Sequence, residues 1–171
     1  MDEDQAKALR QLLDRQAISD CLLRYTRGAD RLDEVLLRSS FHSDAIDCVG
    51  SHAGTIDDFL ARWLPMQPAR QAGQHFITNS TVDLDGDRAH VESYFFAIIK
   101  LTESTDAKIS GGRYADRFEC RNGEWKIAAR VVLSEWNMVA DASAMTGILP
   151  PDVSHRNASD ITYQRPMSIP S

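Results

Sequence analysis

Gly111-Gly112-Arg113-Tyr114-Ala115-Asp116-Arg117-Phe118-Glu119-Cys120-Arg121-Asn122-Gly123-Glu124-Trp125-Lys126-Ile127-Ala128-Ala129-Arg130 is the stretch whose reading decides the fold. It joins two strand-like runs, Lys108 to Cys120 and Glu124 to Asn137, through the turn Arg121-Asn122-Gly123, and so predicts an antiparallel hairpin. Immediately upstream a second hairpin is written the same way. There His75 to Leu84 and Arg88 to Lys100 are joined by Asp85-Gly86-Asp87, whose Asp-Gly pair suits positive backbone dihedrals. Before Pro68 the periodicity is helical instead. Helices first and an antiparallel sheet afterwards indicate an α+β fold.

The opening helix is predicted from Asp4 to about Ala29, because Leu9, Leu12, Leu13, Ile18, Cys21, Leu22 and Tyr25 recur at three- and four-residue steps. Gly28 reads as its terminator, which places Asp30 just past the helix. Tyr25 and Asp30 would stand about 140° apart on an ideal helix, so they converge only if the chain turns between them. A short helix near Leu32 to Ser40 and a strand over Ala45 to Val49 follow. Thr55 with Asp57 and Asp58 marks the start of a third helix, which ends at Pro65. Residues 1–149 form one domain on this reading. The stretch from Pro150 to Ser171, carrying Pro150, Pro151, Pro166 and Pro170, is predicted to be an extended tail across the cavity mouth or a neighbouring subunit, with Ile148, Leu149, Ile161, Tyr163 and Met167 as its apolar contacts.

A chain of 171 residues, 43% hydrophobic, suffices for one core. Its 19 basic and 25 acidic side chains leave a net charge of -6 with no basic run to follow a phosphate backbone, which argues against a nucleic-acid partner. Met1 to Gln16 carry acids and helix formers where a secretory leader would need a basic start and an apolar stretch, and no apolar run is long enough to span a bilayer, so a soluble cytoplasmic protein without a membrane partner is expected. Cys21, Cys48 and Cys120 have neither disulfide nor zinc spacing, and His42, His52 and His90 form no ligand motif, so no metal site is expected.

The quoted hairpin, the helix ending in Tyr25 to Asp30 and the strand His75-Phe76-Ile77-Thr78-Asn79 together resemble SnoaL-like proteins of the nuclear transport factor 2 (NTF2-like) superfamily. The resemblance covers about residues 4 to 140. It implies a cone in which a curved, mostly antiparallel sheet wraps the N-terminal helices around a deep pocket. Members that this chain resembles include scytalone dehydratase, bile acid 7α-dehydratase and hexachlorocyclohexane dehydrochlorinase, which eliminate a group without metal or organic cofactor. Asp30 and His75 match the carboxylate and histidine of that subgroup, Tyr25 the tyrosine of the bile acid enzyme, and Arg130 an arginine of the dehydrochlorinase pocket. The superfamily also holds aldol-type lyases that release formaldehyde from lignin-derived diaryl compounds, and members without catalysis. Homo-oligomers, dimers or trimers, are implied as well.

Taken together these residues form a metal-free acid/base set. His75 is read as the base, because an imidazole titrates near neutral pH. Asp30 fixes its tautomer and supports the imidazolium. Tyr25 assists the leaving or carbonyl oxygen, and Arg130 stabilises developing negative charge, with a structural ion pair to Asp30 or Asp116 as its alternative. Asn79, four residues beyond His75 in a strand, is expected on the same face. Trp63, Met66, Tyr114 and Trp136 are expected to line a pocket for a small cyclic or aromatic hydroxylated substrate. The resulting expectation is a cofactor-independent, dehydratase-type lyase. An aldol-type lyase and a non-catalytic binding or assembly module are the rivals.

Overall fold

The computed structural model describes residues 1–144 and 154–169. Helix α1 (Glu3–Arg31) starts at a capping box in which Asp2 accepts the Gln5 N–H and the Gln5 side chain accepts the Asp2 N–H. It does not stop at Gly28. Leu32, at φ 53°, supplies the left-handed cap, and its N–H returns to the Gly28 carbonyl. Gly28 serves a close approach instead: a Cβ there would stand 2.6 Å from the main-chain nitrogen of Leu37 in α2 (Glu34–Arg38). Asp30 therefore lies in the last turn of α1, one residue inside its end, which corrects the placement read from the sequence.

Strand β1 (Phe41–Val49) starts four residues earlier than the sequence indicates, and β2 (His52–Thr55) turns back along it. Helix α3 (Ile56–Trp63) opens on a capping box made by Thr55 and Asp58. A 3₁₀ turn (Leu64–Ala69) then leads into β3 (Arg70–Asp85), β4 (Arg88–Leu101), β5 (Asp106–Arg121) and β6 (Glu124–Asp141). The sheet order is β2-β1-β6-β5-β4-β3. All neighbours are antiparallel except β1 and β6, which run parallel. Both hairpin turns fall where the sequence puts them. Asn122 (φ 54°) and Gly123 (φ 80°) make one, and Gly86 (φ 58°) begins the other.

The curved sheet packs its inner face on the second half of α1. Ile18, Cys21 and Leu22 of the helix share a core with Val91 and Phe95 of β4, Phe118 of β5 and Ile127 of β6. Leu9, Leu12 and Leu13, which continue the helical stripe in sequence, are exposed, because the N-terminal half of this long helix projects past that core. Trp125 Nε1 donates to Asp14 Oδ1 (2.8 Å) and pins the helix to the start of β6. Bulges in β3 and at the β5–β6 pairing change which side chains face inward, and they decide the fate of two predicted site residues.

Candidate active site

Asp30 and His75 meet, although one ends a helix and the other sits in β3. The His75 N–H donates to Asp30 Oδ2 (3.0 Å), and His75 Nδ1 lies 2.6 Å from Asp30 Oδ1. A carboxylate oxygen at that distance accepts the Nδ1 proton, which fixes the imidazole in one tautomer and leaves Nε2 with its lone pair free to take a proton. Main-chain and side-chain bonds to one carboxylate also hold the ring in a single orientation. Both side chains keep a little solvent access, 18% for His75 and 15% for Asp30, so the pair sits at a rim and not in the closed core.

Two side chains extend this rim. Arg156, from the C-terminal segment, donates from Nε to the Asp30 carbonyl (3.3 Å), from Nη1 to the Arg70 carbonyl (2.9 Å) and from Nη2 to Gln67 Oε1 (2.9 Å). Gln67 is itself buried and anchored on the Trp63 carbonyl. Gly73 leaves room here. A Cβ on it would meet only Asp30 Oδ1 at 3.8 Å and Arg156 Nη2 at 3.9 Å. Sequence reasoning did not find Arg156, Gln67 or Arg70.

Tyr25 and Arg130 belong to a second cluster. Arg130 is completely buried and donates from Nε (2.8 Å) and Nη2 (2.7 Å) to the two oxygens of Asp116, its register partner across β5 and β6. Its guanidinium lies over the rings of Tyr25 and Tyr114, 4.3 and 4.1 Å from their centroids. Tyr25 in turn meets Phe41 and Tyr114 edge-on, and Tyr114 stacks on Phe95 at 4.6 Å. Arg130 is thus held by the structural ion pair that the sequence left open. Nη1 is its one atom without a hydrogen-bond partner among the described residues. Burial pulls against the charged guanidinium, but Asp116 outweighs it and holds the proton more firmly than usual. Burial likewise pushes the Tyr25 phenol upward, with Arg130 acting in the opposite direction. Among the described residues Tyr25 makes no hydrogen bond to Asp30 or His75, so the phenol does not join the pair as the sequence pattern suggested.

Asp47 completes this inner cluster, opposite Arg130 in the parallel β1–β6 pairing. Burial pushes its carboxyl up to about 6, against the attraction of Arg130 and with help from Asp116. An acid inside the apolar run Ala45 to Val49 carries the same sequence signal as Arg130 in its strand.

The remaining predicted positions divide. Tyr114 is buried on the inner face, and Trp63 is half-buried and stacked on Phe59. Met66 is 49% exposed. Asn79 does not share the face of His75. Ile77 pairs with Phe95 and Ser80 with Ser93, so β3 carries one extra residue between them and Ser80 takes the inward position, where its hydroxyl donates to Ser93 Oγ. Trp136 is on the outer face, since the irregularity at Gly111 and Gly112 lays its ring over Gly111, beside Phe96.

An α+β cone with a histidine–carboxylate pair at its rim defines the class of protein to compare. The SnoaL-like domain model matches residues 10–131, and the chain belongs to that family. Among curated proteins it is 26% identical over 133 residues to terrestric acid biosynthesis cluster protein E of Penicillium crustosum, covering 73% of this chain and 85% of that protein. Among solved structures, hexachlorocyclohexane dehydrochlorinase LinA-type3 from Novosphingobium barchaimii LL02 superposes with a TM-score of 0.71 at 21% identity, over 84% of this chain and 99% of that one. A structure assigned as a scytalone dehydratase from Novosphingobium aromaticivorans DSM 12444 gives 0.70 at 21% identity, over 75% and 88%. At these identities the structures establish the fold. Among the described residues no helix is long and apolar enough to cross a membrane, and no group of three or more His, Cys, Asp and Glu could hold a metal ion.

Proposed function

We propose that the protein is a cofactor-independent lyase of the dehydratase type acting on a small cyclic or aromatic hydroxylated compound. The observation that carries this reading is the bidentate Asp30–His75 contact, which leaves Nε2 as an oriented base. Nε2 takes a proton next to an activating group of the substrate. Asp30 then faces the imidazolium through Nδ1, and the electron pair left on carbon expels the hydroxyl as the bond to it breaks. Relatives named as a dehydrochlorinase and as a dehydratase share this fold and favour an elimination.

Tyr25 and Arg130 keep only a supporting place in this mechanism, because the buried Asp116 pair occupies the guanidinium. Loss of formaldehyde by a retro-aldol step would use the same base on a substrate hydroxyl. A mass-spectrometric screen of hydroxylated ring compounds tests the reading. Loss of the mass of water from one of them, dependent on His75, is the expected result. Binding without any product across the screen would mark a binding module and refute the lyase.

A further inference from the structure

The charges around the Asp30–His75 pair do not balance. Arg156 is half-buried, yet among the described residues each of its three side-chain hydrogen bonds goes to a neutral oxygen: two main-chain carbonyls and the Gln67 amide. Its hydrogen bond to Asp30 goes to the main-chain carbonyl, and the carboxylate attracts it without a hydrogen bond. Arg70, at the start of the strand that carries His75, is also half-buried, and among the described residues its side chain has neither a hydrogen bond nor a carboxylate partner. By contrast Arg31, in the same region, pairs with Asp160 at 3.6 Å. Withdrawing a guanidinium from water is unfavourable, and burial accordingly pulls the proton affinity of both Arg70 and Arg156 downward; at Arg156 repulsion from Arg70 adds to it and the attraction of Asp30 opposes it without cancelling it. Asp30 is already engaged by His75. Two neighbouring cations therefore have near them a carboxylate that His75 already engages.

We infer that Arg70 and Arg156 bind the negative group of an anionic substrate, a carboxylate carried by the hydroxylated ring compound, and so present it to His75. Arg156 has two N–H donors left after its three bonds, and Arg70 has all five, enough for the forked contact that guanidinium makes with carboxylate. The missing side chain at Gly73 keeps open the space between Asp30 Oδ1 and Arg156 Nη2. The arrangement also suits the reaction. Proton transfer to His75 leaves an extra negative charge on the substrate, and two arginine cations, neither bound to a carboxylate, favour that state over the ground state. The C-terminal segment is then part of the site, delivering Arg156 through contacts at the end of α1: Tyr163 donates its hydroxyl to Asp33 (2.9 Å), and Arg27 Nη2 donates to the Thr162 carbonyl (3.1 Å).

This inference rests on the proposed lyase site but is tested apart from it. The probes are para-hydroxybenzoate and its methyl ester, titrated into the full chain and followed by the amide signals of Gly73 and His75. The acid is expected to shift both signals, and the ester to bind at least about tenfold more weakly, the loss of one charge-assisted hydrogen bond. Arg70→Gln is expected to lower the acid's affinity by about tenfold or more, and Arg70→Lys, which keeps the charge, by less. Equal affinity for acid and ester, an unaffected Arg70→Gln variant, or no binding of the acid up to its solubility limit would each overturn the inference. His75→Gln should still bind the acid. If it binds and turnover also persists in His75→Gln, the lyase reading fails while the anion site stands; if His75 governs turnover of neutral compounds and the acid is ignored, the anion site alone fails.

Discussion

Replacing Asp30 with asparagine changes few atoms and reverses the logic of the site. The carboxylate accepts two bonds from one residue, the His75 N–H at 3.0 Å and Nδ1 at 2.6 Å. An asparagine can still accept the main-chain N–H through its oxygen, but its amide then donates to Nδ1. The ring proton moves to Nε2, and the base loses its lone pair at the substrate side. One charge-assisted bond becomes a neutral one, so stability should fall by about 1–2 kcal/mol, within reach of urea unfolding followed by tryptophan fluorescence. Turnover should fall by about 10²- to 10⁴-fold, the usual worth of a positioned general base, with substrate binding little changed. The His75 ring nitrogen shifts report the tautomer independently of any substrate. An Asp30→Asn protein that keeps its proton on Nδ1, or that turns over at the parent rate, would refute the reasoning.

Other consequences follow from the buried charges. Asp47, raised to about 6 by burial, binds a proton in the folded state that the unfolded chain has released, so it contributes a penalty near neutral pH that disappears as pH falls from about 6 towards 4. Asp47→Asn should raise stability near neutral pH by about 2–3 kcal/mol and abolish that acid-side gain; unfolding curves across the range check it. Asp160 behaves oppositely. Despite burial, bonds from Thr162 and the His155 N–H and the charge of Arg31 lower it to about 2, so its contribution is present above about pH 4 and lost as pH drops towards 2. Amide exchange in residues 154–164 should rise over that interval before the core unfolds, and simultaneous loss of both would contradict it. Arg130→Met strands Asp116 in the core and should lower stability by about 3–5 kcal/mol, and pairing it with Asp116→Leu should recover most of this in the same unfolding assay.

Much of the architecture is legible because its signals are local. Asn122-Gly123 and Gly86 sit at left-handed dihedrals, and a turn of that kind fixes the register of both strands that it joins. The helical stripe from Ile18 to Tyr25 is buried as its periodicity indicates. Gly28 shows where local reading stops: a glycine that ends a helix and one that admits another backbone look alike in sequence, and only the position of Leu37 tells them apart. Counting in twos along a strand puts Asn79 beside His75, and a single extra residue in β3 reverses its face; Trp136, expected at the pocket as an aromatic, stands at a similar irregularity between β5 and β6 and faces outward. Asp30 and His75 could be paired from the family pattern, whereas Arg156 could not. Nothing in the Pro-rich end of the chain marks it, and its place depends on the segment folding back on α1 and β3.

The central claim is that the Asp30–His75 pair removes a substrate proton, and turnover by His75→Gln tests it most directly. Once a hydroxylated ring compound is found to lose water, the variant should retain the parent's unfolding curve and lose at least about 100-fold in rate, since glutamine fills the space but offers no base. A variant that folds normally and turns the same compound over within about twofold of the parent rate, a difference of less than 1 kcal/mol, would contradict the account.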